Sequence, residues 1–143
     1  IVFAGDSWQL AEDLSMQVIS ADSQHEDYND NSLVLKLKYK NISVLLTGDL
    51  PSVEEVGLLH NGFDLSSEIL KVAHHGSKYS SSLEFLQAVR PKLCIIQSGI
   101  NNKFNHPHPE TLERLSQVDC QVLRNDLEGI ITILSDGQTW WSV

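Results

Sequence analysis

Three short apolar segments of this chain are each followed by imidazole or carboxylate side chains, and this arrangement constrains the fold most strongly. Residues 45–49 read Leu-Leu-Thr-Gly-Asp, residues 69–75 read Ile-Leu-Lys-Val-Ala-His-His, and residues 93–97 lead into a loop with His106-Pro107-His108. Short apolar runs bounded by Gly, Pro and polar residues are typical of buried strands. If the three strands are neighbours in one sheet, one aspartate and four histidines converge on the same edge.

Alternating apolar and polar residues indicate further strands. Residues 32–39 alternate in this way, and residues 42–47 follow across Lys40-Asn41, which predicts a hairpin. Other strands are predicted at residues 15–20, 69–73, 93–97, 121–124, 129–134 and 139–143. A polar loop is predicted at residues 21–31.

Helix start signals lie between these strands. Pro51 and Pro109 are placed for the first turns of two helices. Ser81, with Glu84 three residues later, predicts a capping box for a third helix. Strands that alternate with helices, together with hairpins, predict an α/β (α+β) fold: a mixed sheet with helices on one face.

Length and charge limit the remaining possibilities. The 143 residues correspond to one domain, and no apolar run approaches the roughly 18 residues of a membrane span. A net charge of −9 argues against a long basic footprint on nucleic acid. The chain opens on Ile-Val-Phe, which we interpret as a cut through a strand. Cys94 lies in an apolar run and is predicted to be a buried free thiol.

The aspartate and the histidines at the strand ends are the side chains that a transition metal requires. Imidazole nitrogen and carboxylate oxygen suit zinc, manganese or iron. A carboxylate can bridge two ions, which then share a hydroxide and stabilise charge on a phosphoryl oxygen.

Each of these residues also has a purely structural interpretation. Asp49 can shape the turn before the Pro51 helix, and His74, which would share a strand face with Leu70 and Val72, can complete the core. His108 can cap the helix that begins at Pro109. Ser77 is either a phosphate contact or a loop hydroxyl. Two other histidines are predicted to be surface residues: His25 and His60.

Taken in order, four segments of the chain resemble one known family. They are residues 29–35 (Asn-Asp-Asn-Ser-Leu-Val-Leu), 45–49, 70–77 (Leu-Lys-Val-Ala-His-His-Gly-Ser) and 105–109 (Asn-His-Pro-His-Pro). This order resembles the metallo-β-lactamase-like domain of the ComEC/Rec2 competence family from about residue 14 to the end. The joint pattern is specific, whereas Gly48-Asp49 alone would be weak.

The resemblance implies a fold and a reaction. Residues 1–143 would form the C-terminal half of a single αββα metallo-β-lactamase sandwich that hydrolyses phosphodiesters with two divalent ions, zinc or manganese. Asp49 matches the bridging aspartate and His106 the late histidine ligand. The paired His74 and His75 match residues that bind metal or contact the phosphate. His108 is a further candidate ligand, and Ser77 a candidate substrate contact.

The resemblance also implies a setting. Members of the family join this domain to a membrane channel that takes single-stranded DNA into bacteria, and the domain is expected to degrade the other strand. The expected partners are therefore DNA and the membrane-channel domain of the same parent protein, without lipid contact by this part. We expect a soluble domain of an inner-membrane protein, on the extracytoplasmic side.

One part of the family pattern is missing. The earlier His-x-His-x-Asp-His signature, or its His-x-Asp-x-Asp-His form, does not occur before Asp49. We interpret this as truncation, because the later motifs are intact. A truncated domain has too few ligands, so we expect weak metal binding and no hydrolysis by this chain alone. We also expect Leu70, Val72 and Ile95 to lack cover.

Two other functions fit the same residues. A related fold could cleave a small phosphoester such as a phosphocholine ester, since no aromatic groove in the sequence decides for nucleic acid. Alternatively, the domain is regulatory or structural and does not depend on metal.

Overall fold

The computed structural model describes residues 1–21 and 32–143. Its strands are β1 Ser7–Ala11, β2 Leu14–Ser20, β3 Val34–Tyr39, β4 Ile42–Leu46, β5 Ile69–Lys71, β6 Leu93–Ile96, β7 Gln121–Arg124, β8 Ile133–Ser135 and β9 Trp140–Ser142. Its helices are α1 Ser52–His60, α2 Leu83–Val89, α3 Pro109–Gln117 and α4 Asn125–Glu128, with a 3-10 turn at Ala73–Gly76.

The first seven strands form one mixed sheet in sequence order. β1 to β4 pair antiparallel, and β4 to β7 pair parallel. Leu46 lies opposite Lys71, and Lys71 lies opposite Ile95. The three strands that precede the aspartate and histidines are therefore parallel neighbours, so their carboxyl ends share an edge.

Different secondary-structure elements pack on the two faces of the sheet. On one face, α1, α2 and α3 pack over strand residues such as Leu45, Leu70 and Cys94. On the other face, the β8–β9 hairpin packs against Ile69 and Leu93. The mixed α/β architecture with helices on one face agrees with the sequence prediction.

The expectation that Leu70 and Val72 lack cover is wrong. Both are fully buried beneath the helices, because alternation along β5 turns Leu70 to the helical face. Ile95 faces the other way and is only partly buried, next to the hairpin. The helical face of this chain is thus complete by itself, whereas the opposite face is covered in part.

The second helix begins one residue later than the capping box predicts. Ser82 is its N-cap, and the Ser82 hydroxyl accepts a hydrogen bond from the Phe85 N–H. Ser81 instead has a positive φ of 56°, and its buried hydroxyl makes no hydrogen bond to any described residue. The capping-box pattern favoured Ser81 because Glu84 follows it by three residues, whereas Phe85 follows Ser82 and contributes only its backbone N–H to the cap.

The predicted free thiol at Cys94 is also wrong. Cys94 and Cys120 form a disulfide whose Cα atoms are 6.0 Å apart. Cys94 lies in the middle of β6 and Cys120 just before β7, so pairing of these parallel strands brings the two sulfurs together. The bond links two strands beneath the helical layer.

The chain ends differ from the predictions. Ile1, Val2 and Phe3 are exposed and lie outside any strand, so the chain does not open in a strand as expected. The strand predicted at 129–134 begins only at Ile133, and the short β1 and α4 were missed. The predicted loop at 21–31 lies almost wholly outside the described residues, which also lack His25. Among the described helices, none combines the length and apolarity needed to cross a membrane.

Candidate functional site

The carboxyl ends of β4, β5 and β6 carry three adjacent connections. The Gly48-Asp49 turn follows β4, the 3-10 turn with His74 and His75 follows β5, and the loop to His108 follows β6. Backbone bonds join the first two, since the His74 N–H donates to the Gly48 carbonyl at 3.2 Å. All three connections meet at one edge of the sheet.

Asp49 and His75 face each other across this edge. Asp49 Oδ1 lies 3.5 Å from His75 Nε2, and the Asp49 side chain is 39% exposed. The carboxylate therefore points out of the core, although Gly48-Asp49 does lie in a turn, as the structural interpretation proposed. Its backbone N–H is held by the Ser32 hydroxyl at 3.2 Å.

The His75 ring has a defined orientation. Its Nδ1 lies 2.6 Å from the Gln97 carbonyl oxygen, which can only accept, so Nδ1 carries the proton that is donated. In the neutral ring, Nε2 then carries the lone pair, on the side that faces Asp49. Metal-binding histidines are typically oriented in this way, because the second ring nitrogen donates to a backbone carbonyl.

His74 is held in an unusual conformation. Its φ is 50° and that of His75 is 56°, in the left-handed region that non-glycine residues rarely adopt. The expectation that His74 continues the strand, on the same face as Leu70 and Val72, is therefore wrong, because β5 ends at Lys71. His74 Nδ1 is buried and has no hydrogen-bond partner among the described residues.

The two histidine motifs touch through Gly76. A Cβ atom at Gly76 would lie 2.5 Å from Pro107 Cβ, and the φ of Gly76 is +84°. The His108 N–H donates to the Gly76 carbonyl at 2.9 Å. Only a glycine allows the His-Pro-His loop to approach this closely, which explains why Gly follows the paired histidines.

His108 precedes α3 but does not cap it through its side chain. Instead, its Nδ1 accepts a hydrogen bond from the Lys78 N–H at 3.2 Å. The proton of the neutral ring is therefore on Nε2, which is a donor. The two histidines thus have opposite tautomers: His75 presents a lone pair at Nε2, and His108 presents an N–H.

His106 lies among the other imidazoles. Its ring centroid is 4.8 Å from that of His108 and 5.7 Å from that of His74. Burial, followed by repulsion from the neighbouring histidines, lowers the pKa of His106, and Asp49 acts in the opposite direction. The neutral, metal-binding form of His106 is thereby favoured. From their matching to metal ligands of the family, Asp49 and His106 are predicted to approach within about 5–6 Å, close enough for one ion or a bridged pair.

Ser77 and His60 have other environments. Ser77 is almost fully buried, and its hydroxyl accepts from the Tyr79 N–H at 3.3 Å. Of the two interpretations of Ser77, the loop hydroxyl describes its place here, and a phosphate contact stays a prediction. His60 is exposed at the end of α1, as predicted.

Sequence reasoning missed Lys71. Its Nζ donates to the Gly48 carbonyl at 2.7 Å and lies 3.8 Å from Asp49 Oδ1. Burial lowers the pKa of Lys71, and the charge of Asp49 opposes this shift. A lysine inside the apolar run of residues 69–73 was the available signal, because a buried cation requires a partner.

The donor set suits a metal ion only in part. Asp49 and His75 supply an oxygen and a nitrogen close enough to share one ion, and the unpartnered His74 Nδ1 is a third donor atom at the same edge. Within residues 1–21 and 32–143, however, no three His, Cys, Asp or Glu side chains converge well enough to hold an ion. The described residues thus offer two donor atoms within reach of one ion but no complete set of ligands.

Comparison with known proteins gives a consistent family. No family model matches the chain. It is 38% identical to ComE operon protein 3 of Bacillus subtilis over 128 residues. These residues cover 89% of this chain and 16% of that protein. It is 37% identical over 106 residues to competence protein ComA of Neisseria gonorrhoeae, covering 73% of this chain and 15% of that protein.

A third relative, recombination protein 2 of Haemophilus influenzae, is 33% identical over 132 residues, which cover 91% of this chain and 16% of that protein. The chain thus spans about one sixth of the length of these curated relatives. Because the identity to all three extends over most of its residues, this chain belongs to the ComEC/Rec2 family.

Proposed function

We propose that this chain is part of a metal-dependent phosphodiesterase of the metallo-β-lactamase type that serves bacterial DNA uptake. The observation that carries the proposal is the pair formed by Asp49 and His75, 3.5 Å apart, with Nε2 of the neutral His75 ring, which carries the lone pair, facing the carboxylate. A structural turn requires no such orientation of the imidazole.

The residues at this edge would have distinct roles. Asp49 would be the carboxylate shared by two divalent ions, zinc or manganese, and His75 Nε2 would be a ligand of one of them. His106, kept neutral by its surroundings, and His74 are the other candidate ligands. When bound, the ions supply an activated hydroxide and neutralise charge on the phosphoryl oxygen.

Two further residues would act without binding metal. The Nε2 proton of His108 is available to donate to a phosphate oxygen, because Nδ1 is occupied by the Lys78 N–H. Lys71 holds the turn that positions Asp49, through its bond to the Gly48 carbonyl. The remaining metal ligands would come from outside this chain, which by itself would bind metal weakly and not hydrolyse the substrate.

The names of the relatives support the biological setting. Two are named for competence or its operon and one for recombination, all processes that involve DNA. DNA would be the substrate, and the membrane channel of the same inner-membrane parent protein would be the partner, without lipid contact by this part. The disulfide between Cys94 and Cys120 supports a location on the extracytoplasmic side, because such bonds persist in oxidising compartments.

The test is Asp49→Asn in the complete parent protein. Asparagine keeps the size of the side chain but removes the charge that holds two cations. Turnover of a DNA phosphodiester should fall by more than about 100-fold, since even outer partners of metal ligands are worth about 10–100-fold. Thermal stability in metal-free buffer should change by less than about 1 kcal/mol, because the ion pair of Asp49 with Lys71 is partly exposed.

The matched control is Asp64→Asn. Asp64 is also an exposed carboxylate paired with a lysine, Lys36, but it is remote from the histidines. Turnover of the DNA phosphodiester by Asp64→Asn should equal that of the wild type. A loss of stability in Asp49→Asn that accounts for the loss of turnover would make Asp49 a structural turn residue.

One observation favours a non-catalytic domain as the second candidate. No three donor side chains converge on an ion in the described part of the chain. A regulatory or structural domain would retain its stability and its partners on metal removal, and the parent protein would not hydrolyse phosphodiesters with any divalent ion. Hydrolysis of a phosphocholine ester but not of DNA would instead indicate a small phosphoester hydrolase.

A further inference from the structure

We propose that a cavity beside His75 binds one unpaired nucleobase next to the phosphodiester that is cleaved. This inference rests on the proposed function, because it names the part of the substrate that the same site would recognise. It concerns residues of the β6–α3 loop that the proposed chemistry does not use.

The cavity lies on the side of His75 and His106 that faces this loop. It has a volume of about 200 Å³, and its walls include Gln97, Asn102 and Phe104. Pockets that enclose whole drug-sized ligands measure roughly 300–1,000 Å³. The cavity is therefore suited to a single planar ring system and not to a complete larger ligand.

One wall of the cavity is aromatic. The Phe104 ring is stacked on that of His106, with centroids 5.7 Å apart and an angle of 24° between the planes. Phe104 is nevertheless 60% exposed, so the apolar core does not account for its position. Exposed aromatic rings beside a backbone-binding site are what proteins use to stack unpaired bases.

The wall is held in place by the loop itself. Asn102 accepts a hydrogen bond from the His106 N–H at 2.9 Å and donates to the His106 carbonyl at 2.7 Å. A second donation, to the Gly99 carbonyl at 3.0 Å, closes the other end of the loop. The aromatic wall is thus preformed, which lowers the entropic cost of binding a ring there.

Polar side chains that could contact the base edge and the phosphate of a nucleotide lie around the cavity. Gln97 lines the cavity, and its side-chain amide makes no hydrogen bond to another described residue, so it can pair with a base edge. Lys103 Nζ lies 4.9 Å from the Phe104 ring and supplies positive charge near the opening. His75 forms the boundary with the Asp49 carboxylate, where the phosphodiester would lie.

The net charge of the chain indicates why stacking would matter. A protein of charge −9 lacks a long basic footprint, so attraction to the phosphate backbone is weak. Contacts to the faces of unpaired bases do not depend on such a footprint. Bases in a duplex are already stacked and paired, so they cannot enter the cavity without being extruded.

The test measures binding of the 143-residue chain to a fluorescent single-stranded DNA by anisotropy, in buffer with EDTA. Phe104→Ala should weaken binding by about 5- to 100-fold, the range that base–aromatic stacking gives. Phe104→Trp should retain it. A strand of the same length made of abasic residues should bind weakly to the wild type and equally weakly to Phe104→Ala.

Ile100→Ala is the matched control, since Ile100 is an exposed apolar residue of the same loop that does not line the cavity. It should bind as the wild type does. Equal binding of the abasic and normal strands by the wild type, unchanged binding by Phe104→Ala, preference for duplex DNA, or no binding of any strand would each overturn the inference. Hydrolysis is measured separately with metal in the parent protein. Phe104-dependent binding without hydrolysis would therefore refute the proposed function alone.

Discussion

The Glu55 carboxylate and the His74 imidazole are both polar groups inside the fold, but their surroundings differ. Glu55 in α1 is fully buried, and its two oxygens accept hydrogen bonds from the Ser81 and Ser82 N–H groups at the start of α2. His74 has a left-handed backbone and a buried Nδ1 that has no hydrogen-bond partner among the described residues. The Glu55 oxygens are thus satisfied by the start of α2, whereas His74 Nδ1, like the buried Ser81 hydroxyl, is not satisfied within the described part of the chain.

This difference separates structure from function. Buried polar groups are nearly always hydrogen-bonded, and an exception requires an explanation. Left-handed backbone at His74 and His75 costs about 1–2 kcal/mol per residue and persists only where the surroundings enforce it. We therefore assign the satisfied carboxylate to folding, and we propose a binding role for the His74 imidazole because its ring lies beside that of His106.

The largest expected effect on folding is at Gly76, where the turn after β5 contacts the His-Pro-His loop. A methyl group there meets Pro107 and must also adopt the φ of +84°. Gly76→Ala should lower the free energy of unfolding by about 4 kcal/mol, through backbone strain and overpacking together. Urea denaturation measures this change.

Gly62→Ala separates the two causes. Gly62 has a similar φ of +81°, but no atom lies within 4 Å of the added Cβ. Gly62→Ala should lower the free energy of unfolding only by the cost of the left-handed conformation, about 1–2 kcal/mol. Equal losses at the two glycines would mean that the His-Pro-His loop does not depend on contact with Gly76.

The disulfide is expected to have the next largest effect. The cysteines are 26 residues apart, and closing such a loop in the unfolded chain is worth about 3 kcal/mol. The double variant Cys94→Ala/Cys120→Ala should lose about this amount in urea denaturation. Dithiothreitol should destabilise the wild type but leave the variant unchanged. A wild type that is indifferent to reductant would contradict the pairing.

Compared with Gly76→Ala and the loss of the disulfide, Glu55→Gln should lower the free energy of unfolding least, and its effect should depend on pH. Glu55→Gln replaces one acceptor oxygen by an amide group and leaves a buried N–H unpaired, so it should cost about 2 kcal/mol near pH 4.5. Burial raises the pKa of Glu55 above its ordinary value of 4.5. The stability that Glu55 contributes is therefore present below pH 4.5 and is lost as the pH rises through the raised pKa.

Chemical denaturation at several pH values measures this dependence. The difference in stability between the wild type and Glu55→Gln should shrink as the pH rises. Glu84→Gln, at an exposed glutamate in the first turn of α2, should show no such trend. A difference that grows with pH would mean that the hydrogen bonds to Glu55 outweigh its burial, and the comparison with His74 would lose its basis.

Much of the fold was predictable because it follows from local pattern. Alternation along β3 and β4 predicted their hairpin, and Pro109 marked the start of α3 correctly. The prediction failed at Ser81, which has the capping-box partner Glu84, because the adjacent Ser82 forms the cap instead. It also failed for Cys94, whose apolar neighbours indicate burial but contain no information about a partner.

The candidate site was predictable in its composition but not in its detail. Strand ends and residue types indicated Asp49, His74, His75, His106 and His108, and the structure brings these residues to one edge. The ring orientations of His75 and His108 depend on the Gln97 carbonyl and the Lys78 N–H, which no motif specifies. The proposed roles of Lys71 and Phe104 likewise follow only from the atoms that surround them.

The sequence by itself determined most of the order of strands and helices, apart from β1 and α4, and which imidazole and carboxylate side chains follow each strand. Those features depend on periodicity and turn chemistry among consecutive residues. Only the tertiary structure decided that Cys94 pairs with Cys120, that Pro107 packs on Gly76, and which nitrogen of each imidazole is free. Such contacts join residues far apart in the chain, so they exist only once the parallel strands have set the distances between the loops.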